Sequence, residues 1–263
     1  MEKYLAELSE MIKVAKDASS LVLDIYHKGF TVEIKEDDSP VTDADKNSDK
    51  VIRSHLLKCF PDHAFLSEEE SDDLSRLNKD LIFIIDPLDG TKDFVNHDDE
   101  FAINLALCYK HEIVASVTAI PVYHKIYYAL KNRGAYKLDT ETNVCERIFV
   151  NDKKNDLIVF KSRYHAFENE AEVYARHKDK IKEVKDAGSS YKACLIAEGK
   201  GEITYRLNKG TKEWDTASFT LLIEEAGGYV LDLNKKRIPY NRENVHNGSY
   251  IVVNSLDNWL YPW

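Results

Sequence analysis

Four apolar stretches follow one another from Phe101, at residues 101–110, 112–120, 125–131 and 134–138, separated only by short turn-like pieces. A parallel connection needs a dozen or more residues, so these strands must run as an antiparallel meander. Few other features of the chain narrow the possible folds as much. Ahead of the meander, apolar positions at Leu5, Leu8, Ile12, Ala15, Leu21, Leu23 and Ile25 recur at helical spacing, with Gly29 as a stop. A second helix is predicted from Thr42 or Asp43 to Leu57, with Ala44, Val51, Ile52, His55 and Leu56 inward. Residues 64–67 and 81–86 read as short buried strands.

After Asn151 the rhythm becomes strand, helix, strand, helix, closing on strands at 227–233 and 249–254. The change of style predicts two rigidly packed subdomains, 1–150 and 151–263, the first α+β and the second α/β. No Gly/Ser linker or repeat interrupts them.

The 46 acidic residues exceed the 36 basic ones, giving a formal charge of −10, which argues against a nucleic-acid polymer as partner. Anionic small molecules stay possible, because bound cations reverse the local sign. No apolar run approaches a membrane span, and the N-terminus lacks the pattern of a signal peptide. Cys59, Cys108, Cys145 and Cys194 form no CxxC pair, in keeping with a reducing cytoplasm.

The chemistry concentrates where apolar runs end. Residues 81–85 lead into Asp86-Pro87-Leu88-Asp89-Gly90-Thr91-Lys92, so a buried strand delivers two carboxylates into a turn. Such a pair beside free backbone amides suits a hard cation bridged to a phosphate; a capped turn with surface acids is the plain alternative. Ser67-Glu68-Glu69-Glu70 follows another apolar segment, and Glu213-Trp214-Asp215 opens a helix. Each acidic cluster alone is more often a solvated loop or a cap; three together are what a multi-metal oxygen site requires. Asp43, Asp45 and Asn47 mimic an EF-hand start, but Ser48 and Ser54 stand where that loop needs Gly and Glu.

Asp86-Pro87-Leu88-Asp89-Gly90-Thr91 and Trp214-Asp215, with Glu225-Ala226-Gly227-Gly228 later, resemble the paired signatures of the inositol monophosphatase superfamily, magnesium-dependent and lithium-sensitive phosphatases. Pro40 to Asp45 and Leu66 to Glu69 stand in the family's order, so the resemblance spans about 1–255. It implies an alternating α-β-α-β-α layered sandwich with an antiparallel N-terminal sheet and a mixed C-terminal one. Lys92, Ser162-Arg163-Tyr164-His165 and Gly188-Ser189-Ser190 to Gly199 are similar to the 3'(2'),5'-bisphosphate nucleotidase branch. That branch removes the 3'-phosphate of adenosine 3',5'-bisphosphate. An inositol or sugar monophosphatase, or an inactive relative that only binds metal and nucleotide, are the rivals.

The resemblance implies Glu68, Asp86, the Leu88 carbonyl, Asp89 and Asp215 as ligands of two or three Mg2+ ions; Glu68 lies 23 residues after Asp45, the family's usual interval. Asp45 and Thr91 are implied as the pair that activates water, and Glu69 as an outer acid. Gly90, Thr91, Lys92, Ser162, Arg163, His165, Gly188, Ser189, Lys192 and Arg206 are implied substrate contacts. The chain is expected to be a cytoplasmic monomer or homodimer, at most peripheral to a membrane. Two departures bear on specificity. Phe219 stands where the family has a small residue, and residues 205–211 lack the usual prolines.

Overall fold

The computed structural model describes residues 3–35, 40–164 and 167–261. In chain order the elements are α1 (Leu5–Lys28), β1 (Val32–Ile34), β2 (Pro40–Thr42), α2 (Asp43–Cys59), β3 (Ala64–Ser67), β4 (Leu81–Asp89), α3 (Thr91–Val95), β5 (Ala102–Tyr109), β6 (Glu112–Ile120), β7 (Lys125–Leu130), β8 (Gly134–Asp139), β9 (Cys145–Ile148), β10 (Leu157–Ser162), α4 (Glu168–Arg176), β11 (Ile181–Ala187), α5 (Tyr191–Ala197), β12 (Ile203–Arg206), α6 (Glu213–Glu225), β13 (Tyr229–Asp232) and β14 (Tyr250–Val253).

Strands β3 to β9 form one seven-stranded sheet in sequence order, and the meander is antiparallel as its short turns demand. The sheet is antiparallel except at one edge, where β3 runs parallel to β4. The crossover between them, residues 68–80, is long enough to permit this. A five-stranded sheet orders β11-β10-β12-β14-β13; its first three strands are parallel and the last two antiparallel to their neighbours, so it is mixed as expected.

Both faces of the larger sheet are buried, so its strands read as continuous apolar runs. On β4, Phe83 and Ile85 pack under α1 and α2, while Ile82 and Ile84 face the other way, into a cluster with α5 and α6. That second cluster also takes in Phe160, Val230 and Val252 of the smaller sheet. The smaller sheet's far face is covered by Val173 of α4 and Leu260. The layers are therefore α-β-α-β-α. Helix α6 is buried on nearly every side because it lies between two sheets, and so shows little amphipathic pattern. Its packing carries one hydrophobic cluster across residue 150, joining the two predicted subdomains through α5 and α6.

Candidate metal and phosphate site

The parallel edge pair decides where the acids meet. Ser67 is paired with Ile85, and the Glu68 N–H donates to the Ile85 carbonyl (3.2 Å), so Glu68 emerges beside Asp86. An antiparallel pair would have sent them to opposite ends of the strands. The parallel strands β10, β11 and β12 likewise end at one edge, gathering Ser162, Gly188-Ser189 and Arg206. Asp215 arrives from the first turn of α6, its Oδ2 accepting the Lys212 N–H (2.5 Å).

Carboxylate oxygens of Glu68, Asp86 and Asp215 lie within 4.8 Å of one another. Asp86 Oδ1 accepts the Leu88 N–H (3.1 Å), but the buried Oδ2 has no hydrogen-bond partner. An unpartnered buried oxygen on a carboxylate that faces two others is costly unless a cation fills the space. Burial pushes the Asp86 and Asp215 carboxyls well above the usual range, and the nearby charges of Glu68 and Asp89 add to it; Glu68 is raised by burial too. The donor set is all oxygen, which fits a hard divalent cation. Asp89 does not join that cluster. Its Oδ2 accepts from the Ser190 N–H (2.7 Å), the Ser190 hydroxyl (2.6 Å) and Asn104 Nδ2 (3.1 Å). Behind it, Thr118 donates to Ser218 and Ser218 to Asn104, a buried polar chain tying β6 and α6 to the site.

Thr91 Oγ1 donates to Asp45 Oδ1 (3.1 Å) and reaches the Leu88 carbonyl at 3.3 Å. Asp45 is 2% exposed, and burial raises its carboxyl to about 6. Thr42 holds Asp45 Oδ2 through its N–H (2.7 Å) and hydroxyl (2.6 Å), the capping box that starts α2. Gly90, at φ +87°, makes the turn between β4 and α3, and a Cβ there would sit 3.1 Å from Ser189 Cβ.

A cavity of about 360 Å³ opens over these residues. Glu68, Asp89, Gly90, Thr91, Lys92, Ser162, Ser189, Lys192, Arg206 and Asp215 line it, together with Phe219 and Tyr250. Lys192 is half-buried, its desolvation lowers its pKa, and its Nζ donates to the Ser189 carbonyl (2.7 Å). Phe219 leans on Tyr250 with ring centroids 6.2 Å apart, so the departure at this position puts an aromatic wall in the cavity.

Two of the implied substrate contacts stand back from the cavity wall. Arg163 spans Asp93 (2.5 Å) and Glu100 (2.7 Å), because both acids face the end of β10. Gly188 packs so closely behind them that a Cβ would lie 2.5 Å from Asp93 Oδ1. His165 lies outside the described residues. Glu69 is bound by Lys35 (2.6 Å), which also reaches Glu68 (3.3 Å). Lys35 was not singled out in the sequence, since only tertiary packing brings it there. Nor were Ser48 and Asp49 given a role at this site; they lie on a helix face expected to be apolar. Ser48 donates to the Pro87 carbonyl (2.8 Å), and Asp49 accepts from Ser67 (2.5 Å), so α2 braces both acidic turns. Val51 and His55, expected inward, are only half-buried. Glu225, part of the second signature, accepts the N–H groups of Asn132 (2.6 Å) and Gly134 (2.7 Å) and is structural.

Residues 5–261 match the inositol monophosphatase family. The chain belongs to that family. Its curated relatives include the 3'(2'),5'-bisphosphate nucleotidase CysQ of Salmonella typhimurium, 33% identical over 94% of this chain and 99% of the relative. The protein of the same name from Aggregatibacter actinomycetemcomitans is 31% identical over 97% and 94%. Among solved structures, CysQ from Bacteroides thetaiotaomicron, described as a bacterial member of the inositol monophosphatase family, superposes with a TM-score of 0.84 at 30% identity, covering 96% of this chain and 99% of that one. Like these family members, the chain has the five-layer sandwich. Among its described residues no helix is long and apolar enough to cross a membrane.

Proposed function

We propose that this chain hydrolyses the 3'-phosphate of adenosine 3',5'-bisphosphate, giving AMP and phosphate, and acts on the 5'-phosphosulfate analogue by the same chemistry. The carrying observation is the juxtaposition of the Glu68–Asp86–Asp215 cluster with Lys92, Lys192 and Arg206 across one cavity. A single phosphate needs the first group only; the second cationic wall suits a second phosphate. Full-length similarity to 3'(2'),5'-bisphosphate nucleotidases supports the same substrate.

Glu68, Asp86, the Leu88 carbonyl, Asp89 and Asp215 would hold two or three Mg2+ ions, with Li+ as inhibitor. Magnesium bound there would supply charge neutralisation and a more acidic water. The chain's own residues orient and deprotonate. Thr91 Oγ1, whose proton already points to Asp45 Oδ1, accepts a proton from the attacking water as Asp45 takes its own. The raised Asp45 carboxyl makes it a competent acceptor near neutral pH. Glu69, held by Lys35, would fix a further water. The Gly90 and Thr91 amides face the scissile phosphate, with Ser162 and Ser189 on the rim and Phe219 and Tyr250 against the nucleoside. Arg163 acts indirectly, neutralising Glu100 and Asp93, the latter on the cavity wall, so that they repel the substrate anion less. The four free thiols suit a cytoplasmic setting.

Phosphate release from adenosine 3',5'-bisphosphate, inositol 1-phosphate and fructose 1,6-bisphosphate, with magnesium and with or without lithium, tests the proposal. It expects the nucleotide to be preferred. Preference for inositol 1-phosphate refutes it, and nucleotide binding without turnover identifies an inactive relative.

A further inference from the structure

Among the described residues, one other group of side chains brings three potential metal-ligating atoms within 4.8 Å: Glu10, His55 and Cys59. His55 and Cys59 are four residues apart on α2 and so share a face, and Glu10 meets them from α1. The spacings are 2.7 Å from His55 Nε2 to Glu10 Oε2, 3.8 Å from Cys59 Sγ to His55 Nε2, and 3.9 Å from Cys59 Sγ to Glu10 Oε2. We propose that Glu10, His55 and Cys59 bind a zinc-class divalent cation that clasps α1 to α2.

Zinc bonds of about 2.0–2.3 Å set tetrahedral donors roughly 3.3–3.8 Å apart. Two of the three spacings already lie near that range, and the third needs a shift of well under an ångström once the proton between His55 and Glu10 is gone. A nucleophile–base pair fits less well. There the orienting acid must hold the nitrogen opposite the one facing the nucleophile. Here Glu10 and Cys59 both address Nε2, which is convergence on a point rather than a relay. The nitrogen, sulfur and oxygen donors differ in kind from the all-oxygen cluster of the active site, so the two sites select different metals. On binding, the Cys59 thiol proton and the proton between His55 Nε2 and Glu10 both pass to solvent, and the imidazole that ligates through Nε2 carries its one proton on Nδ1. The competing cation, Lys13 Nζ, is 4.0 Å from Glu10 Oε2 and is largely exposed, so it is easily displaced. His55 lies ten residues along α2 from Asp45, roughly 15 Å at the helical rise. The clasp is therefore separate from the proposed phosphatase site.

The test uses the full chain stripped by a chelator, then titrated with Co2+ and with Zn2+. A thiolate-to-cobalt charge-transfer absorption is expected in wild type and in Cys145→Ser, which lacks the other exposed thiol. It is expected to be absent from Cys59→Ser and His55→Gln, with metal-free melting confirming that each variant is folded. Cys59→Ser should weaken zinc binding by about 100-fold or more, since even supporting residues cost 10–100-fold. At a zinc concentration ten times the dissociation constant, alkylation of Cys59 should slow about tenfold, because only the unliganded thiol reacts; magnesium should not slow it. Absorption that survives Cys59→Ser, or alkylation indifferent to zinc, overturns the proposal. Phosphatase activity enters none of these readouts.

Discussion

Asp86→Asn separates catalysis from stability at the site. In the metal-free chain Asp86 faces Glu68 and Asp215 with oxygens within 4.8 Å. Two unit charges at that distance repel by about 3.5 kcal/mol at an effective dielectric constant of 20. The full sum for two partners is not realised, because the cluster takes up protons and Lys35 offsets part of the Glu68 charge. Each unit by which a folded carboxyl is raised toward the assay pH is worth about 1.4 kcal/mol. Asn keeps an oxygen for the Leu88 N–H and puts a donor where Oδ2 has no partner. The metal-free variant should therefore be more stable than metal-free wild type by about 1–3 kcal/mol at pH 8. For a chain of this size that is roughly 2–5 °C in melting temperature. The sign with pH follows from linkage. Carboxyls raised above their unfolded values cost stability as pH climbs through the folded values and cost little below the unfolded ones. The advantage should shrink toward zero as pH falls below about 4. With magnesium present the order reverses, and turnover falls at least about 100-fold. Melting with chelator and with magnesium at both pH values, beside phosphate release, measures all of this. A metal-free variant less stable at pH 8, or a gap that ignores pH, would refute the reasoning.

Asp89→Asn should behave differently, losing about 1.5–3 kcal/mol by urea denaturation even without metal, because three donors converge on its charged Oδ2. Gly90→Ala should cost about 1–3 kcal/mol in the same assay, since it forces a side chain into φ +87°. Lys192→Met should raise KM for adenosine 3',5'-bisphosphate at least about tenfold, the share of one charge-assisted contact, while leaving stability nearly unchanged; an unchanged KM removes Lys192 from the substrate's path. Magnesium should raise the melting temperature of wild type more at pH 8 than at pH 5, where protons compete for Glu68, Asp86 and Asp215.

The strand that carries Asp86 and the meander from Phe101 were legible because each is a local pattern, an apolar run closed by turn residues. So were the positions of the acids, which stand where apolar runs end or a helix begins. The polar inward face of α2 was not legible. Ser48 and Asp49 look like surface residues until their partners Pro87 and Ser67, far along the chain, are known. Lys35 and the diversion of Arg163 to Asp93 and Glu100 were hidden for the same reason.

By itself the sequence determined most of the longer helices and strands, where the carboxylates fall along them and that the sheet past Phe101 is antiparallel, because periodicity and turn length are properties of neighbours in the chain. Tertiary structure alone decided that β3 lies parallel to β4, which sets Glu68 beside Asp86, and that α6 enters between two sheets to bring Asp215 to both. Those placements depend on which faces can be buried together, and burial is settled between elements rather than within them.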